Sequence, residues 1–222
     1  RDWRRGKAIC KATLQRELGL PEQPEVPLIG FVGDLSDREG IDLIVRILPD
    51  WAEYRDVQWV LLGSGDPRYE RLITALAEKY PRRVAARTDS CDALTHQIEA
   101  GTDIALLPRQ AGPCGERQLQ SLRYGTVPVV RATGVLADTV TDVNDDTLAA
   151  GTATGFHFRE YSEMVMEEAL DRACNTYAAH RSVWDQLVAR GMREDWSWSR
   201  TARQYADLYR KTVTRHKRTS LG

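Results

Sequence analysis

Four loops carry the residue types from which a ligand site could be assembled. Gly33-Asp34-Leu35-Ser36-Asp37-Arg38-Glu39-Gly40 is bounded by glycines, so its backbone amides could approach an anion, while Asp34, Asp37 and Glu39 would repel one. It suits a phosphate cradle or a plain turn. Gly63-Ser64-Gly65-Asp66-Pro67 resembles a short glycine-rich nucleotide loop without the full dinucleotide fingerprint, and it equally suits a tight turn. Pro108-Arg109-Gln110-Ala111-Gly112-Pro113-Cys114-Gly115 has the glycines and prolines of a loop open to close ligand approach or of an ordinary irregular connection. Thr133-Gly134-Val135-Leu136 could offer successive amides to an anion, although Val135 puts a β-branched side chain where a tight nest would want none. His96 lies on a helix face beside a loop, as a ligand contact or as a packing or surface histidine.

Other chemistry has no comparable support. No histidines or acids stand at metal-ligand spacing, and no Ser-His-Asp order appears. Cys10, Cys91, Cys114 and Cys174 are too scattered for a zinc site or a secreted disulfide scaffold and read as reduced thiols in an intracellular compartment. With 31 basic and 32 acidic side chains the net charge is -1, so no whole-protein field draws the chain to nucleic acid or an anionic membrane. Transmembrane spans and a signal peptide are not expected, and the opening Arg1-Asp2-Trp3-Arg4-Arg5 reads as the middle of a longer protein.

The four loops each follow a short apolar run bounded by Gly, Pro or Asp: Leu28 to Val32, Gln58 to Leu62, Ile104 to Leu107 and Val127 to Val130. These runs read as buried parallel strands. Helical spacing appears between them, from Ile41 to Leu48, through Tyr69, Leu72, Ile73, Leu76 and Ala77 after Pro67, and from Asp92 to Ala100. A further helix containing Leu119 and Leu122 is expected after the third run. Such alternation predicts a doubly wound, Rossmann-like α/β fold whose loops meet beyond the carboxyl ends of the strands.

After a last strand over Gly155-Phe156-His157-Phe158 the pattern turns helical, with Met166, Ala169, Leu170 and Ala173 on one face and Trp184, Leu187 and Val188 on another. Trp196 and Trp198 lead into a final helix with Tyr205, Leu208 and Tyr209 on one side, and these aromatics are expected to be packing anchors. From Thr212 to Gly222 a basic segment is expected to be a disordered tail.

Pro27-Leu28-Ile29-Gly30-Phe31-Val32-Gly33, Leu62-Gly63-Ser64-Gly65, Ala100-Gly101-Thr102-Asp103-Ile104, Pro113-Cys114-Gly115 and Tyr124-Gly125-Thr126-Val127-Pro128-Val129-Val130 follow one another along the chain. In the order and spacing of these segments the chain resembles the C-terminal half of starch and glycogen synthases. The likeness extends from Gly6-Lys7 to Trp196-Ser197-Trp198. The resemblance implies the GT-B arrangement, in which two Rossmann-like domains enclose a glucosyl donor. Residues 1–211 would form the nucleotide-sugar-binding domain with its terminal helices, and 212–222 the tail. It implies ADP-glucose as donor, no other cofactor, an α-1,4-glucan acceptor and an N-terminal GT-B domain as partner, with other starch synthases as further partners. A plastid is implied for a plant or algal source, and the cytoplasm otherwise.

By the same resemblance, Gly33, Gly63, Gly65, His96, Cys114, Gly115, Thr133, Gly134, Val135 and Leu136 fall at donor-binding positions. Asp34, Glu39 and Gly112 fall at catalytic positions and are all substituted: the family has an Arg and a Lys on the donor diphosphate where this chain has Asp34 and Glu39, and a Glu where it has Gly112. Val135 replaces a Gly, Glu116 a Leu, and Arg87 an aromatic near the base. The implied activity is retaining hexosyl transfer, impaired by these changes; the alternative is a non-catalytic scaffold or regulator of glucan synthesis.

Overall fold

A computed structural model of the chain describes residues 2–89, 91–110 and 115–219, with side chains as far as Val213. The apolar runs form strands because each can be covered on both faces. In chain order they are β1 (Leu28–Val32), β2 (Gln58–Leu62), β3 (Val84–Arg87), β4 (Ile104–Leu107), β5 (Val127–Arg131) and β6 (Phe156–Phe158). All pair in parallel, in the order β3-β2-β1-β4-β5-β6. Alternate residues face opposite layers: Ile29 and Phe31 enter the larger core, whereas Leu28 faces a second one.

Helices α1 (Trp3–Glu17), α2 (Ile41–Tyr54), α3 (Pro67–Lys79), α4 (Asp92–Gly101), α5 (Arg117–Tyr124), α6 (Gly134–Thr139), α7 (Asp145–Ala149), α8 (Glu163–Ala179) and α9 (Arg181–Gly191) cover the sheet and its ends. The larger core receives Ile44 and Trp51 from α2, Ile73 from α3, Met166 and Leu170 from α8 and Leu187 from α9. On the opposite face Leu14 of α1 and Ile98 of α4 pack with Val60 and Leu62. The doubly wound expectation therefore holds.

Several boundaries differ from the sequence reading. Strand β3 is a short edge strand with two alanines, too weak an apolar signal to stand out, and its pairing with β2 from Trp59↔Val84 to Leu62↔Arg87 creates it. Pro49 does not end α2 at Leu48: the helix runs on to Tyr54 because Trp51 and Ala52 are buried beyond it and Trp51 Nε1 donates to Glu167 at 2.8 Å. That packing offsets the roughly 3 kcal/mol cost of an interior proline. Helix α3 starts as expected, with Pro67 in its first turn and the Asp66 carboxylate accepting from Arg68 N at 2.8 Å.

At the amino end of the sheet, Lys11 of α1 donates to Asp103 at 2.6 Å, to Pro24 and Val26 carbonyls and to Tyr177 Oη, while Asp103 also accepts from Leu28 N at 2.9 Å. This buried ion pair ties α1 to β1 and β4. Its partners answer the desolvation that would otherwise make it costly.

The chain divides into two compact units, Arg1–Met192 and Arg193–Gly222. The second carries α10 (Trp198–Thr219), which continues as helix past Thr212, where the sequence reading placed a tail; residues 220–222 lie outside the described residues. Trp184 is buried in the first unit. Within the second, the spacing of Tyr205, Leu208 and Tyr209 makes α10 an amphipathic helix.

Candidate functional site

In the strand order the chain moves outward from β1 in one direction to β3 and in the other, through β4, to β6, so the topological switch lies between β1 and β4. A ligand crevice is expected outside the carboxyl ends at that point. The loops after β1 and β4 flank it, and the structure joins them closely.

Gln110 N donates to Arg38 O at 3.0 Å, and a Cβ added to Gly40 would collide with the Pro108 carbonyl. Gly40 has φ 83°, a conformation that itself favours glycine. Arg109 Nη2 donates to Glu39 Oε1 at 2.6 Å, with the two side chains only 22% and 12% exposed. The ion pair lies between two predicted site positions: a Cβ on Gly115 would stand 3.0 Å from Arg109 Nη1, and one on Gly33 would stand 3.6 Å from Glu39 Oε2. Gly33, Glu39, Arg109 and Gly115 thus converge at the switch point. Asp34 is exposed beside them, and no ion pair to it occurs among the described residues.

The loop after β2 is stitched to the same assembly. Leu35 N donates to Ser64 O at 3.0 Å and Asp66 N to Leu35 O at 2.9 Å, a parallel bridge between Leu35 and Gly65. Gly33 N donates to Leu62 O, Gly63 N to Arg87 O and Gly65 N to the Glu70 carboxylate, all at 3.0 Å. These amides are spent on protein acceptors, which favours the tight-turn reading of Gly63-Ser64-Gly65 over a phosphate cradle. The glycines serve close approach instead, since a Cβ on Gly63 would fall on the Gly33 carbonyl oxygen.

A second polar chain braces the β1 loop. Tyr161 Oη donates to Asp37 O at 2.9 Å and to the Asp42 carboxylate, Tyr69 donates to the Asp37 carboxylate, and Arg131 donates to Gln110 O while its guanidinium lies 5.5 Å from the Tyr161 ring centre. Burial, with the nearby Asp37 carboxylate, pushes the Tyr69 hydroxyl up to about 12, so it stays a proton donor across the physiological range.

Thr133 precedes α6 without capping it through its side chain, and Gly134 takes φ 48°. Val135 is half-buried, its carbonyl accepting from Thr139 Oγ1 at 2.6 Å, and Leu136 is a core residue with Ala105, Leu107 and Val130. The Leu136 side chain therefore packs rather than facing a ligand. His96 is placed elsewhere: its Nδ1 is 3.1 Å from Tyr124 Oη, and it lines a groove between α1 and α4 with Ile9, Cys10 and Thr13, a groove to which none of the four loops contributes. Gly112 and Cys114 lie outside the described residues. Arg87 ends β3, exposed, with Nη1 donating to Ala86 O at 2.9 Å.

Arg109, Arg131 and Tyr161 were not singled out from the sequence as site residues. A signal existed for the first two, because each is a cation within two residues of the end of a buried apolar run, where an α/β fold delivers side chains to the crevice. Tyr161, 119 residues from its partner Asp42, offered none. No group of three or more His, Cys, Asp or Glu that could hold a metal occurs among the described residues, and no described helix is long and apolar enough to cross a membrane.

The sequence profile of the family described as "Glycosyl transferases group 1" matches residues 12–186. Among curated proteins, the chain is 44% identical over all its 222 residues to a glycogen synthase of Rhodopirellula baltica, covering 44% of that protein. It is 52% identical over 205 residues to a glycogen synthase of Anaeromyxobacter dehalogenans, which takes in 92% of the chain and 42% of the relative. Among solved structures, the catalytic domain of starch synthase IV from Arabidopsis thaliana bound to ADP and acarbose superposes with a TM-score of 0.84 at 33% identity, over 94% of this chain and 43% of that one. The chain thus spans less than half the length of these relatives.

Proposed function

The chain belongs to the group 1 glycosyl transferases, and on that premise we propose that it is the nucleotide-sugar-binding half of a glycogen- or starch-synthase-like glucosyltransferase. The complete protein would move glucose from ADP-glucose to an α-1,4-glucan with retention, together with an N-terminal GT-B domain. The observation that carries this reading is the end-to-end similarity to a glycogen synthase, 44% identical across the full chain. The ADP in the starch synthase IV structure supports an adenine nucleotide as the donor's carrier. Similarity to bacterial glycogen synthases favours the cytoplasmic alternative over a plastid.

The donor site is weakened in this reading. A unit charge pair at about 4 Å is worth roughly 4 kcal/mol at an effective dielectric of 20, so an acid in place of a cation beside a diphosphate costs several kcal/mol. Glu39 is paired with Arg109, while Asp34 stands exposed as a further opposing charge. Loss of cations from the leaving nucleotide would slow transfer as well. Titration calorimetry of the chain with ADP and ADP-glucose is expected to show dissociation constants above about 100 μM, since each 1.4 kcal/mol is tenfold. Micromolar binding would refute the impairment.

The acids at Asp34 and Glu39 also favour a second reading, in which the protein organises glucan synthesis without catalysing it. A stable complex with active synthases, formed by a full-length protein lacking transferase activity, would select that reading; glucan elongation by the same protein would eliminate it.

A further inference from the structure

The Arg109–Glu39 pair is not needed to hold the two crevice loops together. The hydrogen bond from Gln110 N to Arg38 O and the close seat of Gly40 on Pro108 already join them on either side. An extra ion pair with both members largely withdrawn from water brings a desolvation penalty for little structural return. Its position gives it another use. The guanidinium stands at the β1/β4 switch point, the one place in this sheet where a ligand's anionic end is expected.

We propose that Arg109 is the residue that engages the donor's diphosphate, and that Glu39 is an internal stand-in for that anion, released when the diphosphate takes its place. This assignment rests on the donor-binding reading above. A carboxylate and a phosphate present similarly spaced oxygens to the planar guanidinium fork, so one can replace the other on the same nitrogens. Gly115 flanks Arg109 Nη1 and Gly33 flanks Glu39 Oε2, and neither carries a side chain to stand against an arriving anion. The cation therefore enters from the β4 loop, opposite the β1 loop that holds Asp34 and Glu39. Exchange conserves the pairing of Arg109 but leaves Glu39 exposed to a second anion, so the stand-in also competes with the donor.

The test is calorimetric titration of inorganic pyrophosphate and of ADP into the full chain and into Glu39→Gln, Arg109→Gln and the double variant. Glu39→Gln is expected to bind pyrophosphate about tenfold more tightly than the parent, Arg109→Gln about tenfold more weakly, and the gain from Glu39→Gln should vanish in the double variant. A Glu39→Gln protein that binds pyrophosphate no better, or a gain that survives loss of Arg109, overturns the proposal. Should Glu39→Gln fail to fold, Arg109→Lys decides: retention of part of the pyrophosphate affinity lost in Arg109→Gln supports direct engagement, and equal loss in both refutes it. If pyrophosphate follows the expected pattern but ADP binds no better than pyrophosphate, the assignment of Arg109 stands and the nucleotide-sugar reading falls. If ADP binds every variant alike, the reverse holds.

Discussion

Glu99 on α4 shows how a single side chain can be costly without belonging to the site. It is 4% exposed, and Ser121 Oγ donates to its Oε2 at 2.7 Å. Burial raises its carboxyl above the ordinary range, opposed by the Ser121 hydrogen bond and the charges of Arg117, Lys7 and His96. The folded state thus keeps its proton to higher pH than the unfolded state does, and stability falls as pH rises from the ordinary glutamate value through the raised one. Glu99→Gln, which keeps an acceptor for Ser121, is expected to be more stable than the parent at pH 7. The difference should shrink as pH drops below the ordinary carboxylate range, as read from urea midpoints at the two pH values. At the crevice the same residue-scale reasoning has a different outcome. Asp34 and Glu39 are both visible in the sequence as acids in one loop, but among the described residues only Glu39 has a cation partner, and that partner lies 70 residues away. Charge type was legible; charge pairing was not.

Elements were easier to read than the joints between them. The runs at Leu28–Val32, Gln58–Leu62 and Ile104–Leu107 became β1, β2 and β4 with unchanged limits, because a continuous apolar stretch of that length can only be satisfied by cover on both faces. Strand β3 and the reach of α2 past Pro49 depended on neighbours instead, on β2 for the one and on the Trp51 pocket for the other. The loops behave as a stitched assembly rather than as independent anion cradles. Gly63 is the tightest point in that assembly, so Gly63→Ala must push β1 and β2 apart at the Gly33 carbonyl. A loss of about 3 kcal/mol, the upper end of overpacking costs, is expected in urea unfolding. A change below about 0.5 kcal/mol would show that the two loops are looser than their hydrogen bonds imply.

At the scale of the whole molecule, every buried apolar side chain among the described residues lies at or before Val188, inside the unit Arg1–Met192. That unit holds all six strands and is expected to fold without the segment from Arg193 onward. A chain ending at Met192 should unfold cooperatively, with a midpoint within about 4 °C of the parent, the shift of roughly 1 kcal/mol in a protein of this size. Loss of cooperativity, followed by calorimetry, would place part of the core's support in α10. The amphipathic pattern of α10 was legible as helix, since spacing specifies a face and never what covers it.

The sequence by itself determined the doubly wound class, the positions of the main strands along the chain and the crevice end of the sheet, because short-range apolar periodicity and turn chemistry control those features locally. Family motifs in the same residues pointed to the glycosyltransferase. Only the tertiary structure decided that His96 faces Tyr124 and a groove away from the loops, that Leu136 is core, that the Gly63 and Gly65 amides are already taken, and that Arg109 stands against Glu39. Each of these depends on chain segments brought together by sheet order and crossover. Contacts of that kind are set by which strands become neighbours, and no local pattern in the chain encodes them residue by residue.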